Sequence, residues 1–284
     1  MENKIAAVVV WYRPIREYIP NIQSYLDFVS LLVIVDNTEN PEHLLYDGFH
    51  NDPRIHIISN YENRGIAKAI NQGVQAAAEQ GFEWVLVMDQ DSYFDRNMIE
   101  QYFSDFRKLD KKNVAVIGPE ASEKLLSNEI AIKKVNSLIT SGCLLNVDIF
   151  NSLGGYNEKL FIDEVDFEYC FRAILNGCVV LQFSHIHLQH KFGEEKKVIT
   201  FKGKRKSKTL YAPIRLYYIV RNISYMIATY KKYFPNEIRS KKAHLRARIK
   251  ANVLYGPHKF SSLKHAILGY IHFKKKKFGK LNTK

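Results

Sequence analysis

Four largely apolar runs of strand length, separated by segments of helix length, limit what this chain can fold into. They are Ile5-Ala6-Ala7-Val8-Val9-Val10-Trp11-Tyr12, Leu31-Leu32-Val33-Ile34-Val35, Ile55-His56-Ile57-Ile58 and Trp84-Val85-Leu86-Val87-Met88. Continuous apolar runs mark strands buried on both faces of a parallel sheet. Helix-length segments lie between them: Arg16 to Phe28, a shorter piece from Pro41 to Phe49, and Ile66 to Gln80. Such alternation predicts a doubly wound α/β domain, whose ligands bind at the carboxyl ends of the strands. Asp36, Asp89 and Asp91 fall at such ends.

The fourth run leads directly into Asp89-Gln90-Asp91-Ser92. In extended backbone, residues two apart point to one side, so the sequence predicts Asp89 and Asp91 converging on one cation. Hard cations such as Mg²⁺ or Mn²⁺ take oxygen ligands and keep positions for substrate phosphates. A calcium loop of the EF-hand type is excluded, because Tyr93 stands where an acid or amide is needed and Phe94 where glycine is needed.

Three later segments carry further polar groups. Asn63-Arg64-Gly65-Ile66-Ala67-Lys68-Ala69-Ile70-Asn71-Gln72-Gly73 opens a helix after a turn. Ala67, Ala69 and Gly73 suit packing of that helix on the sheet, while the residues alone leave open whether Arg64 and Lys68 serve a diphosphate. The run Leu138 to Asn146 reads as a buried strand interrupted at Ser141-Gly142. In Asp163-Glu164-Val165-Asp166-Phe167-Glu168, Asp163 is the expected helix N-cap and Asp166 lies in the first turn. Four acids in six residues exceed what capping requires, which assigns at least one to chemistry.

Charge divides the chain. Residues 201–284 hold 23 of the 42 Lys and Arg but a single acid, Glu237, within a net charge of +13. A basic, tyrosine-rich tail on an acidic body predicts a partner of many negative charges, and its Tyr and Lys beside apolar helical surface suit an anionic membrane headgroup layer. Nucleic acid is not the expected partner, since acids at the strand ends would repel it. Three cysteines without a C-x-x-C pair point to a reducing compartment, and no apolar run reaches the roughly 18 to 20 residues of a membrane span. A zinc site from His185, His187 and His190 would lack thiolates or helical pairing.

Taken in order, Val8-Val9-Val10-Trp11-Tyr12, Val35-Asp36-Asn37, the Asn63 to Gly73 segment, Met88-Asp89-Gln90-Asp91-Ser92, Ser141-Gly142, the Phe161 to Arg172 segment, His190-Lys191-Phe192-Gly193 and Arg215-Leu216-Tyr217-Tyr218-Ile219-Val220-Arg221-Asn222 resemble glycosyltransferase family 2, in its bacterial rhamnosyltransferase-like branch. The resemblance spans residues 5–222. It implies the inverting GT-A fold, a Rossmann-like mixed sheet flanked by helices. The expected division is a catalytic domain over 1–205 and a basic helical region over 206–284.

The resemblance also implies roles. A nucleotide sugar, with dTDP-rhamnose favoured and a UDP-hexose the alternative, is expected at Trp11, Tyr12, Asp36, Asn63, Arg64, Gly65, Lys68, Asn71, Asp89, Gln90, Ser141 and Gly142. Mg²⁺ or Mn²⁺ is expected at Asp89, Asp91 and His190. Asp166 matches the family's general base, and because the family more often has Glu-Asp where this chain has Val165-Asp166, Asp163 is the second candidate. The implied acceptor is a saccharide on a polyprenyl diphosphate, at the cytoplasmic face of a bacterial plasma membrane, for surface polysaccharide synthesis.

Overall fold

The computed structural model describes residues 4–41, 46, 48–49, 51–120, 131–190, 195–199 and 205–282. The chain forms two compact units, Met1–Glu158 with Val165–His190, and Lys159–Glu164 with Lys191–Lys284.

In the first unit the apolar runs become a mixed eight-stranded sheet. Its strands are β1 (Ile5–Trp11), β2 (Leu31–Asp36), β3 (Ile55–Ser59), β4 (Trp84–Asp89), β5 (Val114–Glu120), β6 (Ile132–Lys134), β7 (Cys143–Asn146) and β8 (Val179–His187). The order is β3-β2-β1-β4-β7-β5-β8-β6. β1 pairs in parallel with β2 and β4, and β2 in parallel with β3, so these four strands end on one edge. There Trp11 lies opposite Asp36, Asp36 opposite Ser59, and Val10 opposite Asp89. β7 runs antiparallel to both neighbours, β4 and β5.

Helices α1 (Ile19–Leu26), α2 (Ile66–Glu79), α3 (Arg96–Lys108), α4 (Val147–Ser152) and α5 (Val165–Leu175) flank this sheet. α2 packs on β1 and β2 through Ala67, Ala69, Ile70, Gly73, Val74 and Ala77. Small side chains let it approach closely: a Cβ on Gly73 would come within 2.4 Å of Val8 Cγ1. α3 buries Ile99, Tyr102, Phe103 and Phe106, and the Tyr102 hydroxyl reaches the carbonyls of Ile117 and Gly142 at 3.0 and 2.9 Å. The expected helix from Pro41 to Phe49 falls largely outside the described residues.

The second unit contains the antiparallel hairpin β9 (Glu195–Ile199) and β10 (Arg205–Thr209), then α6 (Pro213–Tyr230), α7 (Pro235–Tyr255) and α8 (Lys259–Lys274). Proline in the first turn of α6 and α7 suits positions whose N–H has no partner within the helix. α6 packs on both α7 and α8. Its tyrosines correct an expectation from the sequence: Tyr217, Tyr218 and Tyr230 are buried core, not a surface for headgroups. Hydrophobicity on most faces of a helix is what its central position demands. Among the described residues, no helix is long and apolar enough to cross a membrane.

Replacing Gly73 by Ala tests the helix-to-sheet contact. Overpacking against the fully buried Val8 costs about 1–3 kcal/mol, against a gain of about 1 kcal/mol in helix propensity. Gly73→Ala should therefore lower stability by about 1 kcal/mol in urea unfolding; an unchanged or raised midpoint would contradict this packing.

Candidate active site

β4 ends at Asp89, and the chain then turns, with the Ser92 N–H donating to the Asp89 carbonyl at 3.2 Å. The two acids are thus brought together by a turn and not by the extended backbone the sequence predicts, because pairing with β1 stops where β4 stops. Asp89 is fixed from the other side by its own N–H, which donates to Ser141 Oγ at 3.0 Å. Gly142 donates to the Val87 carbonyl at 2.8 Å and has a φ of 79°. A Cβ there would also meet Pro119 Cγ at 2.8 Å, so both conformation and space call for glycine. This left-handed turn shortens the strand expected over Leu138 to Asn146 to Cys143–Asn146.

His190 reaches the acids through a short antiparallel bridge. Tyr93 and Gln189 exchange backbone hydrogen bonds of 3.1 and 3.0 Å, which sets the next residue beside Ser92. His190 Nδ1 lies 2.7 Å from Ser92 Oγ, 3.8 Å from Asp91 Oδ1 and 4.0 Å from Asp89 Oδ2. One ligand atom from each of Asp89, Asp91 and His190 lies within 4.8 Å of the others. Burial lowers the imidazole pKa below its ordinary value, with Asp91 opposing that shift, and the lowering favours the neutral ring that a metal ligand requires. Two carboxylates and an imidazole fit a divalent cation of the Mn²⁺ or Mg²⁺ kind. With about a third of each acid side chain exposed, the set leaves positions open to other oxygens. His185 is instead turned to Asp105, at 2.8 Å.

Further candidates line the same sheet edge. Tyr12 N–H donates to Gln90 Oε1 at 3.0 Å, and Gln90 Nε2 donates back to the Tyr12 carbonyl at 3.3 Å. Trp11 is buried and stacks on Tyr46. Asp36 is 1% exposed, and its carboxylate accepts from the Thr38 N–H at 2.7 Å and from the Tyr46 hydroxyl. Asn63 Oδ1 accepts the Gly65 N–H at 2.9 Å, and Gly65 in turn offers its carbonyl to Asn37. Arg64 and Lys68 pair with Glu62 and Glu158, at 2.9 and 3.8 Å. Asn71 is used in packing: its side chain bonds both the N–H and the carbonyl of Tyr156.

Asp166 sits in the first turn of α5, where its Oδ1 accepts the Phe167 N–H at 2.8 Å. Its charge and that of Asp89 both reach the buried Cys143 thiol at the head of β7, whose pKa is pushed up by burial, then by Cys170, Asp166 and Asp89.

Residues 18–154 match the family model described as glycosyl transferase family 2. The dTDP-rhamnosyl transferase RfbF of Shigella flexneri is 30% identical over 243 residues, covering 78% of this chain and 79% of that protein. The chain belongs to glycosyltransferase family 2. The low-salt glycan biosynthesis hexosyltransferase Agl10 of Haloferax volcanii is 24% identical over 195 residues, 61% of this chain and 62% of that protein. Among solved structures, S. aureus TarS residues 1–349 with UDP-GlcNAc superposes with a TM-score of 0.60 at 14% identity, covering 95% of this chain and 80% of that one. GalNAc-T7 with UDP, GalNAc and Mn²⁺ gives 0.58 at 15% identity, covering 97% of this chain and 57% of that one, so the chain spans little more than half of GalNAc-T7. The fold of this family 2 glycosyltransferase is GT-A.

Its second unit contains a feature that the sequence did not reveal. Asp163 is not an N-cap: α5 starts at Val165, and Phe161, Asp163 and Glu164 have φ of 66, 63 and 67°. Left-handed backbone at three non-glycine residues is strained and persists only where surroundings enforce it. Enforcement comes from α6. Asn222 Nδ2 lies 2.9, 2.6 and 3.0 Å from the carbonyls of Leu160, Ile162 and Asp163. Arg221 donates to the carbonyls of Leu160 and Gly279 at 2.8 and 2.6 Å. Arg215 pairs with Asp163 at 3.2 Å, and Lys241 with Glu164 at 2.6 Å. Arg221 and Asn222 are both fully buried, and burial lowers the pKa of Arg221. The available signal was an Arg-Asn pair inside an otherwise apolar helix.

Asn222→Leu leaves three buried carbonyls without that donor. It should cost about 2–4 kcal/mol in chemical denaturation, and wild-type stability would contradict the clamp.

Proposed function

We propose that this glycosyltransferase moves rhamnose from dTDP-rhamnose, with inversion at the anomeric carbon, to a saccharide acceptor carried on a polyprenyl diphosphate, in the synthesis of a bacterial surface polysaccharide. One observation carries the reading: two carboxylates and an imidazole converge at the carboxyl end of β4. The sugar is that of the related dTDP-rhamnosyl transferase RfbF. A UDP-hexose donor is the second reading, favoured by the hexosyltransferase Agl10 and by the UDP-GlcNAc bound in TarS.

In this reading Asp89, Asp91 and His190 would hold Mg²⁺ or Mn²⁺. A bound divalent cation supplies positive charge beside the departing nucleoside diphosphate. Tyr12 faces the nucleoside at the strand end that buried Trp11 and Asp36 support, while Gly65 and the opening of α2, with Arg64 and Lys68 beside it, lie toward the phosphates. Asn63, Asn71, Gln90, Ser141 and Gly142 fix the backbone around them. Asp166 accepts the proton of the acceptor hydroxyl as that oxygen attacks the anomeric carbon opposite the leaving group. A single displacement inverts the centre. Asp163, already paired with Arg215, is the weaker candidate for the base. The 23 cations of residues 201–284 support attachment to the anionic inner face of the plasma membrane, where a lipid-linked acceptor resides.

Thermal unfolding with dTDP-rhamnose and UDP-hexoses, in Mn²⁺ or in EDTA, tests the donor and the cation together. A ligand at about 100 times its Kd adds about 2.7 kcal/mol of stability. Stabilisation should require both dTDP-rhamnose and the cation; equal stabilisation in EDTA would refute the cation site. Asp166→Asn should retain that stabilisation and lose about 10² to 10⁴ in turnover. Wild-type turnover by the variant would remove Asp166 from the reaction.

A further inference from the structure

α8 meets α6 through its smallest side chains. Its buried residues are Ser262, Ala266 and Gly269, and a Cβ on Gly269 would lie 2.5 Å from the Tyr217 carbonyl oxygen. Leu268 packs against Tyr217 and Tyr218, but five other large apolar side chains point outward: Phe260, Leu263, Ile267, Tyr270 and Ile271 are 91, 43, 52, 49 and 39% exposed. At 3.6 residues per turn these five fall within roughly a third of the circumference, along about 17 Å of helix. Amphipathic helices ordinarily bury their large apolar residues. Single exposed apolar residues are unremarkable, but five in one stripe form a patch that needs a partner.

The charges around the stripe define that partner. Lys264 and Lys274 lie in the same arc, and exposed Lys275, Lys276 and Lys277 follow at the helix end. α7, packed on α8, exposes Arg239, Lys242, Arg246 and Lys250 at helical spacing. α8 has no acid, and α7 has only Glu237. A second copy docked on the same face would bring like charges together, because a two-fold contact matches each patch with itself. Anionic phospholipid neutralises the cations and accepts the apolar stripe, while lysine stems reach back to the headgroups.

We propose that α8 lies in the headgroup layer of an anionic bilayer with Phe260, Leu263, Ile267, Tyr270 and Ile271 inserted. The inference rests on the membrane attachment proposed above and specifies the face that makes it. It is independent of the donor chemistry.

The test is flotation of the full chain with vesicles of phosphatidylcholine alone or mixed with phosphatidylglycerol. The parent should float only with the mixed vesicles, and Leu263→Asp with Ile267→Asp should reduce the bound fraction at least about tenfold. A Phe260→Trp variant should shift its emission to the blue on those vesicles. If the double variant floats like the parent, this face is wrong while membrane attachment survives. Failure of the parent to float with either vesicle refutes the attachment itself. A dimer in light scattering that the double variant dissociates, without flotation, would assign the stripe to a second copy. Unchanged donor-dependent thermal stabilisation of the double variant shows that its fold and donor site are intact.

Discussion

Repulsion between Asp89 and Asp91 is the constraint around which the first unit is arranged. Two charges about 5 Å apart repel by roughly 1 kcal/mol in water and roughly 3 kcal/mol at an effective dielectric near 20. The turn from Asp89 to Ser92 sets them side by side, and contacts from distant segments fix its surroundings. Ser141 fixes the Asp89 amide, the Tyr93–Gln189 bridge brings in His190, and Gly142 lets the chain pass close by. Buried strands supply the rigidity, since each of these contacts is anchored to β4 or its neighbours. The cation proposed for this site would relieve that repulsion, which is the physical reason for pairing two acids there.

A second strained feature lies in residues 159–164. Three left-handed residues precede α5, and buried Arg221 and Asn222 hold the carbonyls that this backbone leaves without helical or strand partners. Cost and compensation are again far apart in sequence, about 60 residues here. In both places polar side chains are spent on fixing backbone.

The sheet was legible because a strand buried on both faces must be apolar throughout, and β1, β2 and β4 announce themselves in that way. α2 was legible for the same reason, through its small residues. Long-range partners were not. The turn at Asp89 to Ser92, the shortening of β7 and the left-handed backbone at Asp163 depend on Ser141, Pro119 and Asn222, none of which is near in sequence. The tyrosines of α6 read as a membrane face because composition does not distinguish a core helix from an interfacial one. Only the packing shows that α6 is central and that α8 turns its large side chains outward. Among the candidate residues, Asp89, Asp91 and His190 were identifiable by type and order, whereas the packing role of Asn71 was not.

Electron paramagnetic resonance of Mn²⁺ with the intact protein tests the central claim most directly, by reading the ligands of the ion itself. A single bound Mn²⁺ is expected, with a directly coordinated nitrogen whose coupling disappears in His190→Ala, and with binding lost in Asp89→Ala. Mn²⁺ that binds without nitrogen coupling, or that binds unchanged when both acids are removed, would contradict it.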